Sequence, residues 1–377
     1  MIFRIVILSA AILSLGSKVM AQETRAGEIA RRQAEKAKRL GAEGPTGFER
    51  FVTRLTLPTK RVSPWFGSVH RGAGFAAGLT IGVGSVAEAG RLDVIGAMSY
   101  RRTPMLDMTW RMARPDARIH PTLQVRTLRA KGLKFYGVGA GADDEQTYEL
   151  TQHRIRASAD VVVGPRTFLT ATGGYRGIST TGLSAPYNLG TRVDFLEGGV
   201  GGRIDWRPAV GYAVRGGVLR GEFTHHRALN GAPYSYSQAS AEFIHLQPVQ
   251  DELFVLAFRT LVSTSFTSAG ESVPAIDLFE VGSGHTVRGF RSGRFRDRSR
   301  VVLSGEYRWR PSRIIDMALF VDHGASASAL SNLSSDAFVT SWGAGIRVHT
   351  PASTLFRLDM ARSREGWRAV FGTSQPF

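Results

Sequence analysis

The chemistry in this sequence is concentrated in one arginine and two carboxylates in the last quarter of the chain. Arg288 sits in Val287-Arg288-Gly289-Phe290, inside the long polar stretch 267–298, and Glu306 and Asp322 follow it. An arginine between two carboxylates forms forked, charge-assisted hydrogen bonds that lysine cannot reproduce. Such a cluster has two readings, a structural lock, which is favoured, and a lock that switches during function. Breaking it in partly dehydrated surroundings leaves an uncompensated charge, at a cost of about 3–5 kcal/mol. Other candidates are weaker. Gly137–Ala142 reads GVGAGA, which fits G-x-G-x-x-A, but it leads into a charged loop instead of a helix. The histidines, including His225-His226, lack metal-ligand spacing, and no nucleophile is placed to work with His153 or His285. No catalytic residue, metal site or cofactor is therefore expected.

The elements carrying the two acids alternate with period two. Val301, Leu303, Tyr307 and Trp309 share one face, and Ser304, Glu306 and Arg308 share the other. On the next segment Ile315, Met317, Leu319 and Val321 oppose Asp316, Ala318, Phe320 and Asp322. Both acids thus fall on the polar face of neighbouring strands. The same grammar runs back to the segment 72–84, where Phe75, Ala77, Leu79, Ile81 and Val83 oppose a face of Gly, Ala and Thr. That small-residue face leaves room for another element to approach closely. Fifteen strand segments can be marked between 72–84 and 367–377, with Phe48–Pro64 as a connector and Pro64 as a short turn.

Composition sets the surroundings. Residues 1–21 read as a secretory signal peptide: Arg4, an apolar run from Ile5 to Leu15, and a small-residue cleavage site ending at Ala21. Residues 22–62 read as a short polar helix with a thin stripe of Ile29, Ala30, Ala34, Ala37 and Leu40, followed by the connector. That span has no room for a folded periplasmic domain. Beyond the signal peptide no run of about eighteen apolar residues occurs, so helical membrane spans are not expected. A net charge of +17 points to a polyanionic neighbour. For an exported chain that neighbour is lipopolysaccharide or anionic phospholipid rather than nucleic acid.

Long alternating strands with charge-rich inner faces, and apolar faces ending in Trp110, Trp206, Trp309 and Trp367, favour a membrane barrel over a soluble sandwich. The expected fold is all-β: a transmembrane antiparallel β-barrel over residues 63–377. At about twenty residues per strand and connection that stretch holds about sixteen strands.

These residues also carry a family resemblance. Val287-Arg288-Gly289-Phe290 in a long late loop matches the VRGF loop, Phe320-Val321-Asp322-His323-Gly324 the F-x-D-x-G strand motif, and Glu306 an acid on the intervening strand, so the chain resembles the BamA/TamA superfamily of bacterial surface antigen barrels. Gly372 and the terminal Phe377 resemble the insertion signal of outer-membrane barrels, and Pro376 is expected to fray the last strand. The resemblance implies that the loop folds into the lumen and that the seam between first and last strands can open. It also implies a non-enzymatic role in inserting or translocating proteins or lipids at the outer membrane, in a short member lacking periplasmic POTRA domains. Client outer-membrane proteins or a periplasmic partner would complete such a role. A solute pore plugged by the VRGF loop is the alternative, and an outer-membrane hydrolase a distant third.

Overall fold

The computed structural model describes residues 61–85, 90–112, 117–208, 213–249, 253–312, 314–349 and 354–377. The expected signal peptide and the helix at 22–44 lie outside the described residues. One antiparallel sheet of sixteen strands dominates the rest, each strand paired with its neighbours in sequence. Its first half comprises β1 (Val62–Ser68), β2 (Phe75–Ser85), β3 (Gly90–Ser99), β4 (Pro104–Arg111), β5 (Ile119–Phe135), β6 (Gln146–Gly164), β7 (Thr167–Thr181) and β8 (Val193–Asp205). Then come β9 (Gly216–Ala228), β10 (Tyr236–Val249) and β11 (Phe254–Phe266). A two-stranded hairpin, β12 (Phe279–Val281) with β13 (Phe295–Asp297), interrupts the order. The sheet resumes with β14 (Ser299–Trp309), β15 (Ile315–Ala327), β16 (Val339–His349), β17 (Thr354–Ser363) and β18 (Gly366–Gly372).

The strand absent from the sequence reading is β1. Pro64 is not a turn; it sits within β1 and pairs with Leu79 of β2. A proline lacks the N–H a central strand needs, but β1 ends the strand order, where one side has no ladder partner. At the other end β18 stops at Gly372 instead of running to Phe377. Strands β5 and β6, at 17 and 19 residues, exceed the about 9–11 residues that a tilted strand needs to cross the bilayer.

The two faces of the sheet differ as a lipid-embedded wall requires. Leu79, Val83, Leu169, Val200, Leu319, Val321, Trp342 and Trp367 are each more than half exposed on the outside. A soluble protein rarely tolerates so continuous an apolar surface. In a bilayer it is the buried face. Among the described residues no helix is long and apolar enough to cross a membrane.

The sheet nearly closes on itself. Among the described residues no backbone ladder joins β1 to β18. The edges meet instead through aromatic rings: Phe371 of β18 stands edge-on to Phe75 of β2 at 5.1 Å, and Phe75 stacks on Phe66 of β1 at 6.1 Å. Residues 267–298, between β11 and β14, turn inward. Val281, Val287, Phe290 and Phe295 of this loop pack with the wall residues Leu261, Val302 and Val339 into a buried cluster. The small face of β2 serves a different purpose from the one its glycines suggest. The space beside Gly82 is taken by the Arg91 and Asp93 side chains, while the loop approaches the start of the segment, with Ser292 beside Gly72 and Ala275 in the same buried cluster as Ala73 and Ala76.

Candidate functional site

Arg288 is 1% exposed at the tip of the inward loop. Its Nε and Nη2 donate to the two oxygens of Asp322 at 2.7 and 2.8 Å, a bidentate fork. Its Nη1 donates to Glu306 at 2.5 Å and to Asp359 at 3.3 Å, and its backbone N–H donates to Asp322. The guanidinium lies flat on Phe320, 3.5 Å from the ring centre, so one face of the cation is covered by π density. Burial opposes the charge, but Asp322 and Glu306 outweigh it, and the guanidinium is held protonated more firmly than in water. Phe320, Asp322 and Glu306 point inward for the reason the alternation gives: β14 and β15 pair with Glu306 opposite Phe320 and Ser304 opposite Asp322.

The sequence reading missed four of the seven members of this cluster. Asp359 of β17 is a third acid, and Arg308, Arg347 and Arg357 surround the acids. Arg308 and Arg347 donate to Glu306 at 2.7 and 2.8 Å, and Arg347 reaches Asp359 at 3.6 Å. Four arginines thus share three carboxylates, all fully or almost fully buried. Arg357 and Asp359 were visible as the polar face of an alternating strand, but nothing in that pattern ranked them above other inner-face charges.

The remaining motif residues serve packing. Gly289 lies so close to the wall that a Cβ there would sit 2.6 Å from the Ser341 Cβ and 2.7 Å from the Ser363 Cβ. Its carbonyl accepts from the Ser363 hydroxyl at 2.9 Å. Gly324, the last residue of F-x-D-x-G, admits Val287: a Cβ there would be 2.9 Å from a Val287 methyl. Phe290 meets Phe295 edge-on at 5.2 Å.

Further contacts hold the flanks of the loop. Asp277 takes a bidentate pair from Arg176 at 2.7 and 2.8 Å and accepts from the Tyr236 hydroxyl at 2.8 Å. Glu280 lies between Arg71 and Arg296 at 3.4 and 3.5 Å. Arg294 reaches Asp143 and Glu365 on the outer loops. Burial raises the carboxyls of Asp277 and Glu280, but the arginines around them prevail and both sit below their usual range. His285 is brought down to about 4 by burial and by Arg357, Arg71 and Arg259, although the residue as a whole keeps an exposed surface.

All three groups favour a docked loop at neutral pH. A histidine with a lowered pKa binds its proton more readily once released, so docking weakens as pH falls from about 6.5 to about 4. The two carboxylates add to the loss below their ordinary range, where the released loop takes up protons first. Protease accessibility of residues 267–298 in proteoliposomes is therefore expected to rise monotonically on acidification below pH 6.5. Accessibility that stays flat down to pH 4 would count against docking by these groups.

The strand expected to reach Phe377 ends at Gly372, and the last residues leave the sheet. After Gly372 the chain turns into the lumen, and Phe377 packs against the cluster of Ala213, Ile244, Leu246, Val255 and Ala257. Arg308 and Arg259 lie over its ring at 5.3 and 5.9 Å. The His285 ring bonds to the Pro376 carbonyl, so the tail touches the loop tip. Pairing ends at Gly372, four residues before Pro376, and the two arginines then cover the ring of the terminal aromatic. Gly372 closes β18 where the Arg357 guanidinium crosses it, 3.0 Å from where a Cβ would stand. Phe377→Ala is expected to destabilise the folded barrel by about 1–2 kcal/mol. The check is a lower midpoint for heat-dependent gel migration of barrels that have already folded.

Residues 211–368 match the model of the Omp85 superfamily domain. That stretch, less than half of the chain, is an Omp85 superfamily domain. Three solved structures share its fold. BamA from Haemophilus ducreyi lacking POTRA domains 1–3 is 15% identical with a TM-score of 0.61, and the match covers 83% of this chain and 70% of that one. CdiB from Acinetobacter baumannii is 14% identical, TM-score 0.52, covering 83% of this chain and 59% of that one. CdiB from Escherichia coli is 14% identical, TM-score 0.55, covering 85% and 60%. The chain thus spans less than two thirds of the two CdiB chains. Comparison with curated proteins found no match. The Omp85 superfamily domain and the barrel fold shared with these structures support an outer-membrane location.

Proposed function

We propose that this Omp85 barrel inserts or moves proteins at the outer membrane through the seam between β1 and β18. The carrying observation is the seam itself. Its two edge strands are seven residues each, and the described edges meet through aromatic rings without a backbone ladder. An unpaired strand edge is a template for another strand. A client strand adding to β1 or β18 would satisfy backbone groups that the bilayer core leaves without partners. The buried loop contributes by stiffening β14–β17, so movement concentrates at the free edges.

The natural chain has no cysteine, which makes the test clean. Phe75→Cys with Phe371→Cys, joined by a short bis-thiol linker, would staple the edges. Stapled barrels in liposomes are expected to lose their acceleration of folding of a urea-unfolded outer-membrane protein, and linker cleavage should restore it. Equal acceleration with the staple in place would sink the seam reading. A second reading, a solute pore gated by the loop, draws support from a lumenal cavity of about 420 Å³ beside it.

A further inference from the structure

We propose that the cavity beside the inward loop is a binding chamber for a phosphate group. The inference stands apart from the seam, because it concerns the opposite wall, β6–β11, and a ligand rather than a client strand. The chamber, about 420 Å³, falls within the size range of small-molecule sites, about 300–1,000 Å³. Six arginines line it, Arg71, Arg156, Arg203, Arg220, Arg259 and Arg300, against three carboxylates, Asp160, Glu222 and Glu242.

The carboxylates leave part of that charge unanswered. Glu242 is engaged by both Arg220 and Arg259, and Asp160 accepts from the Thr170 hydroxyl at 2.6 Å. Arg71 is paired with Glu280. Arg156, Arg203 and Arg300 have no carboxylate within 4.0 Å among the described residues. Neutral groups hold two of them: Arg203 rests on the Phe168 ring at 4.6 Å, and Arg300 donates to the Ser263 hydroxyl and the Glu280 carbonyl. Arg300 is also within electrostatic reach of Arg71 and Arg259, so like charges face one another across the chamber.

A bound anion relieves that repulsion. Guanidinium forks fit the oxygens of a phosphate in a way that a halide cannot exploit. Thr224 adds a hydroxyl donor on the same wall, while the hydroxyls of Thr172 and Ser240 donate to the Gly199 carbonyl and the Ser263 hydroxyl. The phosphate belongs either to a free solute or to a lipid headgroup entering the lumen, and both present the same chemistry.

The probe is inorganic pyrophosphate, titrated calorimetrically into the folded wild-type barrel in zwitterionic nanodiscs. Saturable one-to-one binding is expected, competed by inorganic phosphate and not by chloride at matched ionic strength. Arg156→Gln with Arg203→Gln is expected to weaken it by at least about tenfold. Arg203→Lys, which keeps the charge and loses the fork, should fall between. Heat-dependent migration of each variant establishes that it is folded. No saturable binding, full competition by chloride, or equal affinity in the folded double variant would overturn the proposal. Nanodiscs containing phosphatidylglycerol separate the sources: weakened pyrophosphate binding there assigns the site to a headgroup, and unchanged binding assigns it to a free phosphate.

Discussion

Arg288→Ala is expected to release the inward loop and to lower barrel stability by about 3–5 kcal/mol. The size follows from what remains after the side chain is gone. Asp322 loses both arms of its fork, and Asp322 has no other arginine within salt-bridge distance among the described residues. Glu306 keeps Arg308 and Arg347, and Asp359 keeps Arg347 and Arg357, so the damage concentrates at Asp322. A buried carboxylate without a partner is strongly disfavoured. Arg288→Lys should rescue little, because an ammonium cannot span Asp322, Glu306 and Asp359 while lying flat on Phe320. Single-channel conductance in planar bilayers should rise as the loop leaves, with a parallel drop in the heat-dependent migration midpoint. Unchanged conductance together with an unchanged midpoint would remove the cluster's assigned role.

Gly289→Val is expected to produce the same opening with every charge in place. Its Cβ would fall within 2.6–2.7 Å of carbons on Ser341 and Ser363, both on wall strands that cannot withdraw without disturbing β16 and β17. Overpacking of a buried contact costs about 1–3 kcal/mol. Here it would push the loop tip away from Asp322 as well, adding part of the ion-pair loss. Gly305→Ala is the control, since a Cβ there meets nothing within 4 Å. A valine variant that conducts like wild type while Arg288→Ala conducts more would mean that charge, not the seating of the loop, sets the closed state.

The parts legible in the sequence were those governed by period two. Alternation placed Glu306 and Asp322 on inner faces, and the exposed outer row of Phe75, Leu79, Ile81 and Val83 follows the same rule. Pairing is local in such a sheet, each strand beside its sequence neighbour, so strand order follows from chain order. Three features escaped because no local pattern encodes them. β1 contains Pro64 and Gly67, which read as connector, and only pairing with β2 makes the segment a strand. Asp359 and Arg347 became cluster members through the position of a loop tip more than fifty residues earlier. The inward path of Pro376 and Phe377 depends on arginines contributed by β11 and β14.

The acid-clamped arginine also bears on the order in which the barrel can be built. Every charged member of the cluster lies between Arg288 and Asp359, on one loop and the four consecutive hairpin-linked strands that follow it. Assembling it requires only short chain closures, with the small entropic cost that short separations carry. Joining β1 to β18 spans the whole barrel and carries the largest such cost in the molecule. The last third of the chain can therefore consolidate around Arg288 as a curved, internally braced half-wall while the two edges are still apart.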